Sequence, residues 1–400
     1  MSPPLIALFI AAFAFGTTEF VVAGVLPEVA DGLNVSVPTA GYLVSAYALG
    51  IAIGGPLLTV ATARLSRRTL IVGLIIAFVI GQAACALAPD FFSMLAFRFA
   101  TAIAHGTFFG VAMVVAVSLV PPAQRGRAVA IVLAGLTVSN IVGVPVGTAI
   151  GSVWGWRSTF WAMFALGIAA MAAAVVLLPR TAGQSARSAG FRAEVRVLSR
   201  QQVWTSLIIM LMLMMAQFIP FTYIAPMLRD ITHLDEYLIP WMLLLIGLGS
   251  TLGVYAGGRL ADGRLMRGLV ATLLVQAVVL LAIYAVSPYA LPMALALTAW
   301  GALNFSIGTA VQTRILAWTA DAPNLASSLI PSGFNVGIAL AASIGAMLLN
   351  GGYGYRSLPL IGVAAMIVGA GVAVLSSAAE RRAGRMPPMA GGPAEASSQG

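Results

Sequence analysis

The 400-residue sequence has no lysine, a single cysteine and two histidines, and only 8% of its residues carry a charge. One cysteine, Cys85, excludes an intrachain disulfide. With His105 and His233 it is too thin a supply of ligands for a metal centre, so neither a metal nor another cofactor is expected. No HExxH, GxSxG, CxxC or Walker loop occurs, which removes the common signatures of hydrolases, dithiol redox enzymes and ATP-driven engines from this chain. The scarcity of charge also excludes a soluble protein, which could not cover its surface with so little. What is present instead is apolar: 60% of the residues are hydrophobic and the mean hydropathy is +1.00. All 21 basic residues behind the net charge of +9 are arginine. All but Arg98 fall in gaps between apolar runs or in the tail and form no soluble basic face, so a nucleic-acid partner is not expected. The sequence reads as an all-α polytopic membrane protein, not an enzyme, with the lipid bilayer as its first partner.

A hydrocarbon core about 30 Å thick takes roughly 20 apolar residues of helix. Such segments occur near 5–27, 40–62, 69–88, 92–119, 127–150 and 157–178, and again near 203–226, 238–257, 268–287, 289–312, 324–349 and 357–377, twelve in all. The first has no basic n-region, Met1-Ser2-Pro3-Pro4 being uncharged, and is expected to remain as an uncleaved helix. We expect a first half over 1–179, a linker over 180–202 carrying Arg180, Arg187, Arg192, Arg196 and Arg200, a second half over 203–382, and a disordered Pro/Gly/Ala/Ser-rich tail over 383–400. The gaps after even-numbered spans, with the tail, hold 17 of the arginines, whereas the other gaps hold three, Arg157, Arg229 and Arg356. Those other gaps collect Glu28, Asp31, Asp90, Asp230, Asp235 and Glu236. Arginine-rich loops stay in the cytoplasm, so both termini are expected there, in a multi-pass protein of the cell membrane.

The two sets of spans echo one another. Gly155-Trp156-Arg157-Ser158 after the fifth span and Gly354-Tyr355-Arg356-Ser357 after the eleventh are 199 residues apart, and the same offset carries Thr59–Arg68 onto Gly258–Arg267. Parallel halves of this kind build a site at the bilayer midplane and rock about it. Small residues recur every four positions in the second span (Ala46, Gly50, Gly54), the fifth (Gly135, Ser139, Gly143, Gly147, Gly151), the eighth (Gly249, Gly253, Gly257) and the eleventh (Gly333, Gly337, Ala341, Gly345). Such stripes let helix backbones approach closely. Their placement predicts a face shared between the halves, with packing inside each half as the alternative. Pro27, Pro56, Pro145, Pro220 and Pro226 are expected to kink or end helices.

At these residues the sequence resembles the major facilitator superfamily, and within it the twelve-span drug:proton antiporters. Gly258-Arg259-Leu260-Ala261-Asp262 through Arg267 is similar to the family's gating motif. The first-half copy keeps Arg64, Arg67 and Arg68, with Thr59, Ala63 and Ser66 where the motif has Gly, Asp and Gly. Arg98 with His105-Gly106-Thr107-Phe108-Phe109-Gly110 resembles the family's arginine motif, and Gly143-Val144-Pro145-Val146-Gly147 its antiporter motif. Gly16-Thr17-Thr18-Glu19-Phe20 and Phe334-Asn335-Val336-Gly337 resemble the branch of arabinose-type, purine-nucleoside and chloramphenicol-resistance exporters. The resemblance implies two pseudo-symmetric six-helix halves around a central cavity, and proton-coupled export.

Only Glu19 and Arg98 are expected to lie well inside spans. A charge there needs a partner or a water-filled cavity. Each stands eight residues, about 12 Å, from the outer end of its span. In the resembled fold both spans line the cavity, so the two can pair. Glu19 is the candidate proton carrier and Arg98 the cation that holds its ionised form; a structural ion pair is the alternative. His105, seven residues after Arg98, shares its helix face and can relay protons or bond a neighbouring helix.

The expected second half carries no charge inside its spans. Its seventh span shows Met210, Met214, Gln217 and Phe221 at helical spacing, with Phe218 and Tyr223 nearby, and its tenth shows Trp300, Asn304, Gly308 and Gln312. Methionine and aromatic surfaces adapt to varied apolar ligands and a few amides orient them. Gln217, Phe218, Phe221, Tyr223, Trp300, Asn304, Gln312 and Asn335 are therefore candidate substrate residues, Asn335 also a candidate bridge between helices. The reading is a monomeric exporter exchanging a small amphiphilic solute, such as chloramphenicol, for protons. Alternatives are a sugar or nucleoside exporter, an uptake symporter, or a non-transporting scaffold or channel.

Overall fold

The computed structural model describes residues 2–62, 64–179, 199–261, 265–319 and 323–382. Most of the linker expected over 180–202, the tail 383–400 and Asp262 of the gating motif lie outside the described residues. Among the described residues, twelve helices are long and apolar enough to cross a membrane. They are α1 (Pro3–Gly24), α2 (Val37–Thr59), α3 (Arg67–Ala86), α4 (Phe91–Ser118), α5 (Pro122–Trp154), α6 (Trp156–Leu177), α7 (Gln201–Thr222), α8 (Ile239–Ala261), α9 (Leu265–Val286), α10 (Ala290–Trp318), α11 (Pro323–Asn350) and α12 (Leu358–Arg382). Each of the twelve apolar segments read from the sequence falls on one of them.

Local chemistry sets the helix ends. Ser36 and Ser66 accept from the Thr39 and Thr69 backbone N–H groups, and Asp90 forms a capping box with Ser93. Gly155 turns the chain between α5 and α6 at φ +81°, a conformation that disfavours any residue with a Cβ. In α2 and α5 a wide π turn, Gly50–Gly54 and Ser139–Gly143, surrounds the carbonyl that Pro56 and Pro145 cannot bond, because proline lacks the N–H. Pro27 and Pro226 sit in short helices, Leu26–Gly32 and Ile224–Asp230, that continue α1 and α7 after a break.

The 199-residue echo has a structural counterpart. Arg157 donates to the Ala88 carbonyl just past α3 and lies over the Trp156 ring. Arg356 donates to the Tyr284 carbonyl near the end of α9 and lies over the Tyr284 ring. Each arginine thus secures the same joint in its own set of six helices.

The small-residue stripes correct the sequence expectation. A Cβ on Gly135, Gly143, Gly147 or Gly151 of α5 would run into Phe9, Thr17, Val21 or Val25 of α1 and its continuation. Gly333, Gly337 and Gly345 of α11 press on Met210, Met214 and Tyr223 of α7 and its end. Likewise Gly50 and Gly54 of α2 abut Ala102 and Ile103 of α4, and Gly249 and Gly253 of α8 abut Thr298 and Ala302 of α10. The stripes therefore join helices within each set of six, α1 to α5 as α7 to α11, and α2 to α4 as α8 to α10. The reason is geometric: these pairs cross with backbones almost touching, which only small residues permit.

The two sets meet along other faces. Ser45 donates to the Ala339 carbonyl and accepts from Ser343, and Ser332 donates to the Ala52 carbonyl, which ties α2 to α11. Gly247 of α8 backs onto the Asn140 carbonyl of α5. Beyond the midpoint, on the side of the Leu26–Gly32 helix, Tyr223 fills the gap between Gly41 and Gly345 and donates to the Ala342 carbonyl.

Candidate functional site

Between the two sets of helices lies a cavity of about 300 Å³, at the lower end of the range that holds drug-sized ligands. Its wall draws on α1, α2, α4 and α5 on one side and α7, α8, α10 and α11 on the other. Six phenylalanines, Phe20, Phe109, Phe218, Phe221, Phe305 and Phe334, with Met113 and Met214, make most of the lining apolar. Phe20 and Phe218 approach across it with ring centroids 5.7 Å apart.

On the first-half wall α1 presents Glu19 and α4 presents His105. His105 Nε2 lies 3.7 Å from Glu19 Oε2, while its Nδ1 is 3.0 Å from the hydroxyl of Tyr47 on α2. The rings of Phe15 and Phe109 stand 5.3 Å away and shut the imidazole off from most water. Arg98 does not take Glu19 as its hydrogen-bond partner, as the sequence suggested. It is fully buried behind the wall, donates to the Thr18 carbonyl at 2.9 Å and lies 4.0 Å above the Tyr47 ring. Its Nε and Nη2 have no hydrogen-bond partner among the described residues. The correction follows from packing: Thr18 and Tyr47 place a carbonyl and a ring face where the guanidinium emerges, and Glu19 turns towards the cavity.

The second-half wall is uncharged. Of the candidate substrate residues, Gln217, Phe218, Phe221, Asn304, Gln312 and Asn335 line the cavity. Tyr223 and Trp300 do not. Tyr223 is buried between Gly41 and Gly345, and Trp300 is fully buried beside Phe221, ring centroids 6.3 Å apart. Asn335 donates to the Pro331 carbonyl one turn back, so it does not bridge helices through that amide nitrogen. Its Oδ1 has no hydrogen-bond partner. Met214 lines the cavity, but Met210 is buried against Gly333.

Two polar residues, one behind each wall, went unnoticed in the sequence. Gln276 on α9 is fully buried and donates to Asn304 Oδ1 at 2.8 Å. A lone glutamine in an apolar run needs a partner, a signal that could have found it. Tyr47 carried no such signal, because a tyrosine among alanine and leucine looks like ordinary packing.

The motif residues split by role. In the antiporter motif Gly143 and Gly147 face α1 and Val144 faces the cavity, with Pro145 following the π turn. In the first-half gating copy Arg68 donates to the carbonyls of Val175 and Leu178, each at 2.8 Å, and closes the end of α6. Arg64 is exposed and Arg67 half-buried. Gly258 lies within α8, and Arg267 is exposed near the start of α9.

Residues 8–316 match the Major Facilitator Superfamily. The chain is 38% identical to the inner membrane transport protein YdhP of Escherichia coli (strain K12), over 93% of this chain and 94% of that protein. It is 34% identical to a chloramphenicol resistance protein of Streptomyces lividans, over 88% of this chain and 90% of that one. In fold it is similar to the crystal structure of a bacterial homolog of the human lysosomal transporter Spinster, in an inward-facing and occupied conformation, with a TM-score of 0.77 at 17% identity over 96% of this chain and 98% of the other.

Proposed function

This chain belongs to the major facilitator superfamily of membrane transporters, and we propose that it exports a small amphiphilic solute, such as chloramphenicol, in exchange for protons. The observation that carries the reading is the division of one cavity into two chemistries. Glu19 is the carboxylate on its wall, with His105 beside it, and the facing wall offers aromatic rings and uncharged amides. A solute with an apolar body and a few hydrogen-bonding groups fits such a wall better than an ion or a densely polar sugar.

In this reading Glu19 is the proton carrier. In this setting His105 stands 3.7 Å from the carboxylate, and the positive charge of Arg98 one layer behind favours its ionised form. Solute entering beside His105 and Phe109 favours loss of the proton, and rocking of the two six-helix halves exposes the cavity to the other side. The arginine-rich gaps orient both termini to the cytoplasm, and the similarity to a chloramphenicol resistance protein supports export of a drug-like solute.

The test uses everted membrane vesicles with an acidified lumen and a pH-sensitive dye. Chloramphenicol, pentoses and nucleosides are added in turn to wild type and to Glu19→Gln. Proton efflux set off by chloramphenicol and lost in Glu19→Gln is the expected result. Undiminished coupled export by Glu19→Gln removes Glu19 from the carrier role, and silence to every solute argues against proton-coupled export of this class.

A further inference from the structure

Tyr47 belongs to none of the family-like motifs, yet it touches both polar residues behind Glu19. Its hydroxyl meets His105 Nδ1 at 3.0 Å, and the Arg98 guanidinium lies 4.0 Å over its ring. Tyr47 is 1% exposed and His105 3%, so neither can turn to bulk water for a partner.

A neutral imidazole and a phenol each carry one proton, which leaves two arrangements. In the first, the Tyr47 hydroxyl donates to Nδ1 and the ring proton sits on Nε2, facing Glu19 Oε2. In the second, Nδ1–H donates to the phenol oxygen. The phenol proton then has no acceptor among the described residues, and the Nε2 lone pair is set against the carboxylate. A buried donor left without an acceptor forfeits its hydration with nothing in return, and the lone-pair repulsion adds to that cost. The cation over the ring face draws electron density from the phenol and makes its O–H a better donor. Both effects favour the first arrangement when Glu19 is ionised.

We propose that Tyr47 is a positioning residue for the proton carrier: it holds His105 as the Nε2–H tautomer, so that the ring offers Glu19 a donor. Arg98 then acts on Glu19 partly through this chain, Arg98 to Tyr47 to His105. The functional meaning rests on the proton-carrier reading of Glu19, but the tautomer does not, and it is measured separately.

With only two histidines in the chain, a His233→Asn background leaves His105 as the sole imidazole. Nitrogen-15 NMR of histidine-labelled protein in lipid nanodiscs, at alkaline pH, distinguishes the protonated ring nitrogen from the bare one. We expect Nε2 protonated and Nδ1 bare, and in Tyr47→Phe a mixture of both tautomers. In the vesicle assay Tyr47→Phe lowers turnover roughly tenfold with KM unchanged, the fold-change that losing one buried hydrogen bond brings. An Nδ1–H tautomer in the Tyr47 protein overturns the proposal even if Tyr47→Phe fails to fold, and an unchanged tautomer in a folded Tyr47→Phe overturns it too. Loss of the Glu19→Gln phenotype with the tautomer intact would instead overturn only the proton-carrier reading.

Discussion

Arg314 of α10 donates through Nη2 to the Glu380 carboxylate of α12 at 2.5 Å and to Ser376 at 2.6 Å, inside the second set of helices. The sequence reading allowed no charge within those spans, since it ended the tenth at 312 and the twelfth at 377. Both helices run further, to Trp318 and Arg382, and carry the pair with them; the two residues are 1% and 5% exposed. Removing one partner of a buried pair leaves the other charged and unpaired, at a cost of about 3–5 kcal/mol, whereas an apolar replacement of both is nearly neutral. Arg314→Met and Glu380→Met should therefore each lower the unfolding temperature of the purified protein sharply, and the double variant should recover most of the loss. Additive losses in the double variant would show that the pair does not act as a unit.

The helices were legible because their physics is local. Apolar runs of bilayer length, prolines before kinks and the repeated Gly-x-Arg-Ser corner all declare themselves within a few residues. What could not be read was which face of a helix meets which neighbour. The α5 glycines look alike whether they press on α1 or across the midline, and Glu19 and Arg98 share a depth without sharing a contact. Tyr47 gained its place only through the fold, which brings α2 beside α4 so that one phenol reaches both His105 and Arg98. Arg314 and Glu380 were hidden by a simpler cause: charges end a hydropathy window even where the helix continues.

Gln276 holds Asn304 from behind the cavity wall, and the Asn304 Nδ2 has no hydrogen-bond partner among the described residues. Asn304 lines the cavity, and in the proposed reading this amide donates to an oxygen of the solute. Gln276→Leu keeps the bulk and frees Asn304 to turn away. One hydrogen bond of about 1 kcal/mol corresponds to a five- to tenfold rise in KM for solutes bearing an acceptor oxygen, with little change for purely apolar ones. Asn304→Leu should raise KM alike, and the double variant no further. Independent, additive effects in transport assays would separate the two residues.

Glu28, in the short helix after α1, has one carboxylate oxygen buried without a hydrogen-bond partner among the described residues. Burial pushes its carboxyl above the usual carboxylate range; Glu236 and Asp31 add to this, while a hydrogen bond to its own backbone and the charge of Arg229 oppose it. A raised folded value means that the contribution of Glu28 to stability is present in acid and is lost as pH rises through that value. Glu28→Gln should then unfold about 1–3 °C higher than wild type at neutral pH, and no higher at a pH below the usual carboxylate range, where both side chains are uncharged. A thermal shift series across that window checks the sign; a variant less stable at neutral pH contradicts it.

Tyr223 closes the seam between the two sets of helices on the side of the Leu26–Gly32 helix, its ring seated on Gly41 of α2 and Gly345 of α11 and its hydroxyl bonded to the Ala342 carbonyl. A Cβ on Gly41 would overlap the phenol, so Gly41→Ala must push the ring out of its seat. Overpacking of this kind costs about 1–3 kcal/mol, all of it in the state where the ring is seated. The seam should then open more often, by about tenfold for each 1.4 kcal/mol. Replacing Cys85, the sole cysteine, with alanine allows a reporter cysteine at Leu243, which lines the cavity and lies near Gly24 towards that side. An impermeant maleimide applied from the Tyr223 side should label Leu243→Cys slowly, and at least several-fold faster once Gly41→Ala or Tyr223→Ala is added. Equal labelling in all three proteins would mean that the seam is held shut by other contacts and that Tyr223 only fills space.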